Sequence, residues 1–507
     1  MTATTESAVR WARPAAAAAL VAGIVLRLFS TSPMWLDEAQ TVAIAQRSVG
    51  SLLHTLRIDG APPLFYLLLH YWMDVFGTGD LGARSLSTAF SIAALPLMGI
   101  AAKRYRLVDG ASWPAVLLLA TNPFAIRYAT EARMYSLVLF LVLVALIAYE
   151  KVWRDGGAWP VLGAGLVTGA LLLTQYWAMF MAVAAGIAVL IAVWRGVRRA
   201  TVLVLPLVIG AVVFVPWLPT FLYQSKHTGA PWGSPPGLLT AVLSVGSWTG
   251  SGVAAPLLQW SLYLLLVIAI LGYPASGGGV TFRTPARRKP LFIVTFSIVT
   301  LALATIASEI SASAYAPRYT MIVFPLMLLV AASGFAAIPA RARPVAIAVV
   351  CVLGLAGSIL LPFNLRTQAA QVASVLKDAG PNDLVVYCPD QLGPAVYRLA
   401  PHAGRQVVYP TFGSPEIVNW VNYKNRNENA HPVAFANEAL ERSDGHRIWL
   451  VYDTGYPTLS GGCASLLTSF TLARGRPTTR LKPHAAFERY GVVEFPADQA
   501  VNAAGRP

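Results

Sequence analysis

The stretch IRYATEARMYS, residues Ile126–Ser136, places three charged side chains between two long apolar segments. The preceding segment, Ala111–Ile126, and the following one, Met134–Tyr149, contain no charged residue. Roughly 20 apolar residues cross about 30 Å of hydrocarbon, and charged groups at membrane depth usually face a cavity or a partner. The stretch therefore predicts two membrane-spanning helices joined by a charged turn.

The composition extends this prediction to the whole chain. Of 507 residues, 56% are hydrophobic and only 12% are charged, whereas soluble domains average about a quarter charged residues. The apolar segments long enough to span a membrane are Ala15–Ser30, Arg84–Ala102, Ala111–Ile126, Met134–Tyr149, Trp159–Leu173, Tyr176–Trp194, Thr201–Leu218, Ala254–Tyr273, Leu291–Ile306, Tyr319–Ile338 and Pro344–Leu361. We predict a polytopic α-helical membrane protein with about 11 transmembrane helices.

The basic residues indicate the topology. The formal net charge of +15 would point to nucleic acid in a soluble protein. Here the basic clusters fall in alternate connections, all on one side, as the positive-inside rule requires. They are Arg10–Arg13, Lys103–Arg106, Lys151–Arg154, Arg195–Arg199, Arg283–Lys289 and Arg341–Arg343. We therefore predict a multi-pass plasma-membrane protein with a cytoplasmic N-terminus and no nucleic-acid partner.

This topology places four connections on the outer face. They are a first loop at about 31–83, the turn Tyr128–Arg133, and the loops Thr220–Pro236 and Glu309–Arg318. The amphipathic stretch PPLFYLLLHYW (Pro62–Trp72) is predicted to lie flat on the outer interface, because a span there would invert the charge parity. Ala15–Ser30 is predicted to be a retained span, since no small-residue cleavage site follows it.

The last third of the chain has the composition of a soluble domain. DLVVYCPD (Asp383–Asp390), RQVVYP (Arg405–Pro410) and HRIWLVYD (His446–Asp453) read as strands. We predict a transmembrane domain of residues 1–363 and a small extracytoplasmic α/β domain of residues 364–507. An outer location permits a disulfide between Cys388 and Cys463; two ordinary buried thiols are the alternative.

Adjacent carboxylates occur in MWLDEAQTVAIAQ, residues Met34–Gln46, directly after the first span. Asp37 and Glu38 there have a structural interpretation, in which acids in the first turn of a helix favour its macrodipole. Their position on the outer face beside basic loops favours a functional interpretation. Asp37 and Glu38 are the first candidate site residues.

Complementary cations occur in two of the outer connections. Arg127 and Arg133 flank Glu131 in the charged turn, and Arg318 precedes Tyr319 where a late span begins after Pro317. Forked guanidinium donors suit a phosphate, whereas snorkelling at the interface is the structural alternative. These residues predict an anion site that binds the donor phosphate, with Glu131 beside it as a candidate substrate contact.

Weaker candidates complete the set. Lys226 and His227 lie in an outer loop that we predict to form a lid near a bound phosphate. Asp59 is predicted to help the site, although a turn role competes. Tyr176 and Trp177 are candidate substrate contacts, with an interfacial aromatic belt as the alternative.

Five stretches in this order resemble the GT-C superfamily of membrane glycosyltransferases, especially its protein-mannosyltransferase and lipid A aminoarabinose-transferase branch. They are WLDEA, PPLFYLLLHYW, ARSLSTAFSIAALPL, NPFAIRYATEARMYSL and APRYTMIVFPLMLL, which cover most of the first 335 residues. Each motif is loose alone, and the series is fairly specific.

The resemblance implies an inverting transfer of a sugar from a polyprenyl-phosphate donor to an acceptor at the outer membrane face. It implies that Asp37 is the catalytic carboxylate of the first outer loop, with Glu38 beside it. It also implies that Arg133 and Arg318 lie near the donor phosphate. Mannose is the sugar that the family's prevalence favours, and lipoglycan, wall polysaccharide or secreted protein are the expected cell-envelope acceptors. Many relatives carry His before the proline pair where this chain has Ala61, so no role of that histidine is transferred.

The chemistry of such a transfer agrees with these residues. A carboxylate takes the proton of an acceptor hydroxyl as the bond to C1 forms, and arginines or a divalent cation stabilise the charge on the leaving phosphate. Two carboxylates suit Mg²⁺, Mn²⁺ or Ca²⁺, so Asp37 and Glu38 are also candidate metal ligands.

Three alternatives stay open. One is a ligase or polymerase that transfers a whole lipid-linked glycan, and another is an inactive homologue that only binds glycan. A lipid or sugar transporter is the third; it predicts internal repeats and polar residues at mid-membrane, whereas the charges here lie at the outer ends of spans.

Overall fold

The protein is described from a computed structural model. The described residues are 3–105, 107, 112–229, 243–275, 279–284, 286–310, 315–455, 460–484 and 486–498. The second half of the predicted lid Thr220–Pro236 and part of the loop Glu309–Arg318 lie outside these residues.

The first part of the chain is helical. Its α-helices in chain order are α1 (Ala3–Val25), α2 (Leu36–Ala45), α3 (Val49–Asp59), α4 (Leu64–Phe76), α5 (Asp80–Tyr105), α6 (Ser112–Thr121), α7 (Pro123–Ala129), α8 (Tyr135–Asp155), α9 (Ala158–Leu172), α10 (Trp177–Trp194), α11 (Val204–Phe214), α12 (Leu218–His227), α13 (Ala254–Leu271), α14 (Arg288–Ile310), α15 (Phe324–Gly334) and α16 (Arg343–Ser358). A 3₁₀ turn at Arg198–Leu203 leads into α11, and a second one at Val215–Trp217 joins α11 to α12, so that these elements form one helical run.

The described residues contain 6 helices long and apolar enough to cross a membrane. Shorter apolar helices account for the remaining predicted spans, so every predicted span has a helical counterpart. The additional short apolar helix is α4, which belongs to the stretch predicted to lie on the interface. It buries Phe65 and Leu69 and leaves Tyr71 and Val75 exposed. The fold is that of a polytopic helical membrane protein.

Small residues let two of the helices approach closely. Gly165 and Gly169 on α9 face Ile209 and Val213 on α11. A Cβ at either glycine would lie only 2.4–2.5 Å from the facing valine or isoleucine. Spacing of small residues by four positions favours such contacts because lipid offers no hydrophobic drive between helices.

The two ends of the bundle differ in charge. At one end Arg104 pairs with Glu150 at 3.1 Å, and Lys289 donates to the Tyr105 carbonyl at 3.2 Å. At the other end of α5, Asp80 pairs with Arg398 of the C-terminal part at 3.2 Å. A helix of this length spans about 39 Å, so these basic residues and the C-terminal part lie at opposite ends of the bundle.

The C-terminal part is a small α/β unit. Its strands are β3 (Leu384–Cys388), β4 (Arg405–Val408), β5 (Ile448–Tyr452), β6 (Thr478–Leu481) and β7 (Gly491–Phe495), which follow a short pair β1 (Gly272–Pro274) and β2 (Val280–Phe282). Its helices are α17 (Ala369–Val375), α18 (Gly393–Leu399), α19 (Tyr423–Glu428), α20 (Pro432–Arg442) and α21 (Ser460–Arg474). The sheet order is β4-β3-β5-β7-β6, with β3 parallel to β4 and β5 and with β7 antiparallel to its neighbours.

Three of these strands occupy the positions predicted from the sequence, while β6 and β7 were not predicted. The proposed domain boundary at 363/364 falls between α16 and α17 and stays a prediction.

Candidate active site

The charged turn that contains Glu131 and Arg133 follows a short helix that starts at a local capping signal. The Asn122 side chain accepts hydrogen bonds from the backbone N–H groups of Phe124 and Ala125 at 2.9 and 3.3 Å, and Pro123 begins α7. Asparagine at the N-cap with proline next is a strong helix start. The short α7 then ends before Glu131, and the chain turns so that Arg133 faces helix α2.

Asp37 lies in the first turn of α2 between two arginines. Its Oδ2 is 3.5 Å from Arg318 Nη2 and 3.9 Å from Arg133 Nη2. Among the residues that the structure describes, that oxygen has no hydrogen-bond partner. The carboxylate is thus held by charge and keeps its lone pairs for a ligand.

Arg133 is oriented by a hydrogen-bond network on the same helix face. Its Nη1 donates to Thr41 Oγ1 at 2.7 Å and to the Tyr66 hydroxyl at 3.3 Å. Tyr66 in turn donates to Asp59 Oδ2 at 2.7 Å, and the Gln40 amide donates to the other oxygen of Asp59. The network fixes the guanidinium beside Asp37 and occupies both oxygens of Asp59.

These side chains surround a cavity of about 310 Å³, within the range of small-molecule sites. The predicted site residues in its wall are Asp37, Asp59, Arg133, Tyr176, Trp177, Arg318 and Tyr319. The wall also contains Gln40, Gln175, Gln224 and Trp420, which were not predicted. The structure therefore brings two acids, two arginines and several aromatic rings from distant parts of the chain to one cavity.

Glu38 points away from this cavity. It forms a two-pronged ion pair with Arg84 at 2.7 and 2.8 Å, accepts from the Ala132 N–H at 2.9 Å, and has Arg366 at 3.7 Å. Burial alone would raise the pKa of Glu38, but Arg84 and Arg366 outweigh it, so the pKa lies below its ordinary value. The structure thus revises the predicted pairing of Glu38 with Asp37, because its oxygens are occupied by protein groups.

Arg127 and Glu131 also lie outside the cavity wall. They pair with each other at 3.4 Å, with Glu131 almost fully buried. Burial raises the pKa of Glu131, and Arg127 partly offsets this. The predicted phosphate contact of Arg127 and substrate contact of Glu131 are therefore not supported by this geometry, which assigns the pair to the turn behind Asp37.

Lys226 and His227 end α12 and do not line the cavity. Lys226 is exposed, and His227 Nδ1 lies 3.1 Å from Asn422 Oδ1 of the C-terminal unit. The His227 carbonyl also accepts from the Asn422 N–H at 2.7 Å. His227 thus joins the two parts of the chain, and the role of Lys226 and His227 at the donor phosphate stays a prediction that this geometry does not support.

Cys388 and Cys463 are bonded to each other in the structure. The bond links the end of β3 to α21. It lies in the core of the C-terminal unit, apart from the cavity.

The C-terminal unit holds the helix that carries Asp37. Glu488 Oε1 accepts from the Leu36 N–H at 3.1 Å, and the Val418 N–H donates to the Gln40 side chain at 3.0 Å. Trp420 donates its backbone N–H to the Ile58 carbonyl at 3.0 Å and contributes to the cavity wall. The N-terminus of α2 lacks a side-chain cap from its own N-cap residue, so Glu488 supplies that cap from 452 positions away.

We expect the Glu488 carboxyl to make stability depend on pH. Burial raises its pKa from 4.5 to about 7, and the Asp37 charge adds to this. At a pH between the two pKa values, the folded protein keeps the Glu488 proton that the unfolded chain releases. The free energy of unfolding therefore falls as pH rises from about 4.5 to about 7, by at most about 3 kcal/mol. Thermal melts in nanodiscs of wild type and Glu488→Gln should therefore converge at pH 5 and separate at pH 8.

Glu441→Gln, which alters an exposed carboxyl of the same unit, should follow the wild type at both pH values. Asp390, whose pKa is raised to about 6 by burial, is present in every variant and cancels in the comparison. Equal slopes for wild type and Glu488→Gln would contradict the prediction.

The donor set does not fit a divalent cation bound by Asp37 and Glu38. The two carboxylates diverge, Glu38 is occupied by Arg84, and two guanidinium groups stand beside Asp37. Within the described residues, no group of three His, Cys, Asp or Glu side chains is placed to hold a metal.

Part of the unpredicted wall carries a sequence signal. Gln40 follows Asp37 by three positions, which places the two side chains on the same helix face. Gln175 is a polar residue at the end of a long apolar segment. Trp420 has no such signal, because only the docking of the C-terminal unit brings it to the cavity.

The helical bundle, the helices of the first loop and the sheet unit together have the GT-C fold. Comparison with solved structures finds ArnT from Cupriavidus metallidurans, bound to undecaprenyl phosphate and in the apo state. Each has a TM-score of 0.58 and 14% identity, covering 96% of this chain and 98% of that chain. AglB from Archaeoglobus fulgidus, in complex with an inhibitory peptide and a dolichol-phosphate, has a TM-score of 0.48 and 12% identity, covering 87% of this chain and 69% of that chain.

No protein-family model and no curated protein matches the sequence. The similarity to ArnT, at 14% identity, establishes only the fold of this protein.

Proposed function

We propose that this protein is an inverting glycosyltransferase that moves a sugar from a polyprenyl-phosphate donor to a hydroxyl of a cell-envelope acceptor. The observation that carries the proposal is Asp37, which lines the cavity between Arg133 and Arg318 and whose Oδ2 has no hydrogen-bond partner among the described residues. The fold is similar to that of ArnT, whose structure holds undecaprenyl phosphate, and this similarity supports a polyprenyl-phosphate donor.

In this mechanism Asp37 accepts the proton of the acceptor hydroxyl while that oxygen forms its bond to C1 of the sugar. The bond between C1 and the phosphate oxygen breaks on the opposite face, so the configuration inverts. The leaving lipid phosphate gains one negative charge as the diester becomes a monoester. No covalent nucleophile is needed, and one well-placed base suffices.

Arg133 and Arg318 are placed to stabilise that charge. Both guanidinium groups have an Nε atom without a hydrogen-bond partner among the described residues, so each has donor capacity left for a phosphate. Preorganised cations act strongly in a site that excludes water. Arg318 also lies 5.6 Å from the Trp35 ring, which limits its movement.

The location of the cavity supports transfer at the outer face. It lies at the end of the bundle covered by the C-terminal unit, opposite the basic ends of α5 and α14. Under the positive-inside rule those basic ends are cytoplasmic. We therefore propose a plasma-membrane enzyme with a cytoplasmic N-terminus and an extracytoplasmic C-terminal domain.

A transfer assay with purified protein in nanodiscs tests the proposal. It offers polyprenyl-phosphate-mannose, -arabinose and -hexosamine, and mannose is the sugar we propose. Consumption of one donor by wild type identifies the sugar and distinguishes a hexosyl- from a pentosyltransferase. If no donor is bound or turned over, the proposal is wrong, and a glycan ligase or a transporter explains the fold better.

Arg318→Ala should weaken donor binding about 10- to 100-fold, because hydrogen bonds to charged groups contribute about 1.5–3 kcal/mol. Titration of the preferred donor, followed by intrinsic tryptophan fluorescence, measures this. Arg57→Ala removes an equal charge from an exposed arginine of the first outer loop and serves as the control. Equal donor affinities of Arg318→Ala and wild type would refute the phosphate role.

A further inference from the structure

Gln175 is a buried polar residue that the mechanism above does not use. It lies in the turn between α9 and α10, is 3% exposed and lines the cavity beside Asp37 and Arg133. Its own backbone is fixed, since its N–H donates to the Leu171 carbonyl at 3.0 Å and its carbonyl accepts from the Ala178 N–H at 3.0 Å. The position of the side chain is therefore set by the turn.

Within the described part of the chain, the two polar atoms of the Gln175 side chain, Nε2 and Oε1, have no hydrogen-bond partner. Buried side-chain polar atoms without a partner are uncommon and call for an explanation. A ligand group in the cavity that both donates and accepts would supply the missing bonds.

Neighbouring amides in the wall are already satisfied. Gln224 donates to the Leu56 and Ala61 carbonyls and accepts from the Tyr176 hydroxyl. Gln40 donates to Asp59 and accepts from the Val418 N–H. Gln175 thus differs from the other two glutamines of the wall in having its whole hydrogen-bonding capacity available.

The chemistry of a carboxamide selects the ligand class. It presents a donor and an acceptor side by side and carries no charge. An ionised phosphate offers acceptors only and would leave Oε1 without a partner. Two neighbouring hydroxyls of a sugar ring offer one donor and one acceptor with matching spacing. A sugar joined through C1 to a phosphate at Arg133 and Arg318 has its ring hydroxyls in the same cavity.

We propose that Gln175 binds a pair of neighbouring hydroxyls on a sugar ring and so contributes to sugar specificity. The inference rests on the proposed function for the presence of a sugar in this cavity. The same chemistry is offered by the donor sugar and by a glycan acceptor, and the experiment below separates the two sources.

The test compares ligands with and without the sugar. Affinities of wild type and Gln175→Met are measured for polyprenyl-phosphate-mannose, -arabinose and -hexosamine, for bare polyprenyl phosphate, and for octyl mannoside as an acceptor probe. Methionine keeps the length of the side chain and removes both hydrogen-bonding atoms. Gln259→Met, in a half-buried glutamine outside the cavity wall, is the matched control.

We expect Gln175→Met to weaken the preferred sugar-bearing lipid about tenfold or more and to leave bare polyprenyl phosphate unchanged. Loss of octyl mannoside binding alone would assign the residue to the acceptor sugar. Equal losses for the sugar-bearing and bare lipids, or no loss for any ligand, would overturn the proposal. If Gln175→Met does not fold, Gln175→Leu, which also removes both hydrogen-bonding atoms without adding a charge, takes its place with the same criteria.

The two hypotheses fail differently. Turnover by wild type with unchanged sugar affinities in Gln175→Met overturns the role of Gln175 and leaves the glycosyltransferase in place. Absence of binding and turnover in wild type overturns both.

Discussion

Asp37→Asn is expected to lower sugar transfer by at least about 100-fold, because a positioned general base contributes about 10²–10⁴ to such rates. Asparagine has nearly the same shape and cannot take the proton of the acceptor hydroxyl. Arg133 and Arg318 remain in the variant and are freed from a negative charge that lies 3.9 and 3.5 Å away in the wild type. Donor binding should therefore be kept or strengthened while turnover is lost.

This divergence of binding and turnover is the decisive observation. Donor affinity and single-turnover rates are measured on the same nanodisc preparation. Asp74→Asn removes an exposed carboxylate from the first outer loop and should behave as wild type. Normal turnover by Asp37→Asn would eliminate the base assignment, and equal loss of binding and turnover would point to a structural role.

Glu38→Gln is expected to cost about 3–5 kcal/mol of stability, the usual effect of removing one partner of a buried ion pair. Arg84 would keep its hydrogen bonds to the Ser32 and Pro33 carbonyls and lose its counter-charge. Thermal melting in nanodiscs measures the loss. Removal of an exposed ion pair in the same chain, by Glu438→Gln, should change stability by less than about 1 kcal/mol.

The comparison of the two adjacent acids distinguishes their roles. Asp37→Asn should melt close to wild type and be inactive, whereas Glu38→Gln should melt lower and keep measurable turnover at a temperature where it is folded. A Glu38→Gln variant of normal stability and no activity would return Glu38 to the catalytic group.

Much of the architecture could be predicted from local sequence. The predicted spans all have helical counterparts, because crossing a membrane requires a long apolar segment whatever the rest of the chain does. Asp37, Arg133 and Arg318 were identified because charged groups at the ends of such segments are few. The strands β3, β4 and β5 were visible as buried apolar runs between turns.

Other roles depended on the three-dimensional arrangement. Successive residues on a helix point about 100° apart, so the adjacent acids Asp37 and Glu38 face different surroundings, and the sequence does not state which one meets the cavity. Lys226 and His227 are the basic residue types expected of a phosphate ligand, but His227 contacts Asn422 of the C-terminal unit instead. The strand β7 and the preceding Glu488 gave no signal of contact with α2.

Hydropathy and charge are properties of short segments, so the membrane-spanning architecture and the acid and arginines of the cavity can be predicted from the amino-acid sequence. Three features depend on the folded arrangement: which of the adjacent acids faces the cavity, which residue caps the helix that carries it, and which neutral side chains complete the cavity wall. Those features arise from contacts between residues hundreds of positions apart, such as Leu36 with Glu488 and Gln40 with Val418, and no local pattern encodes such pairs.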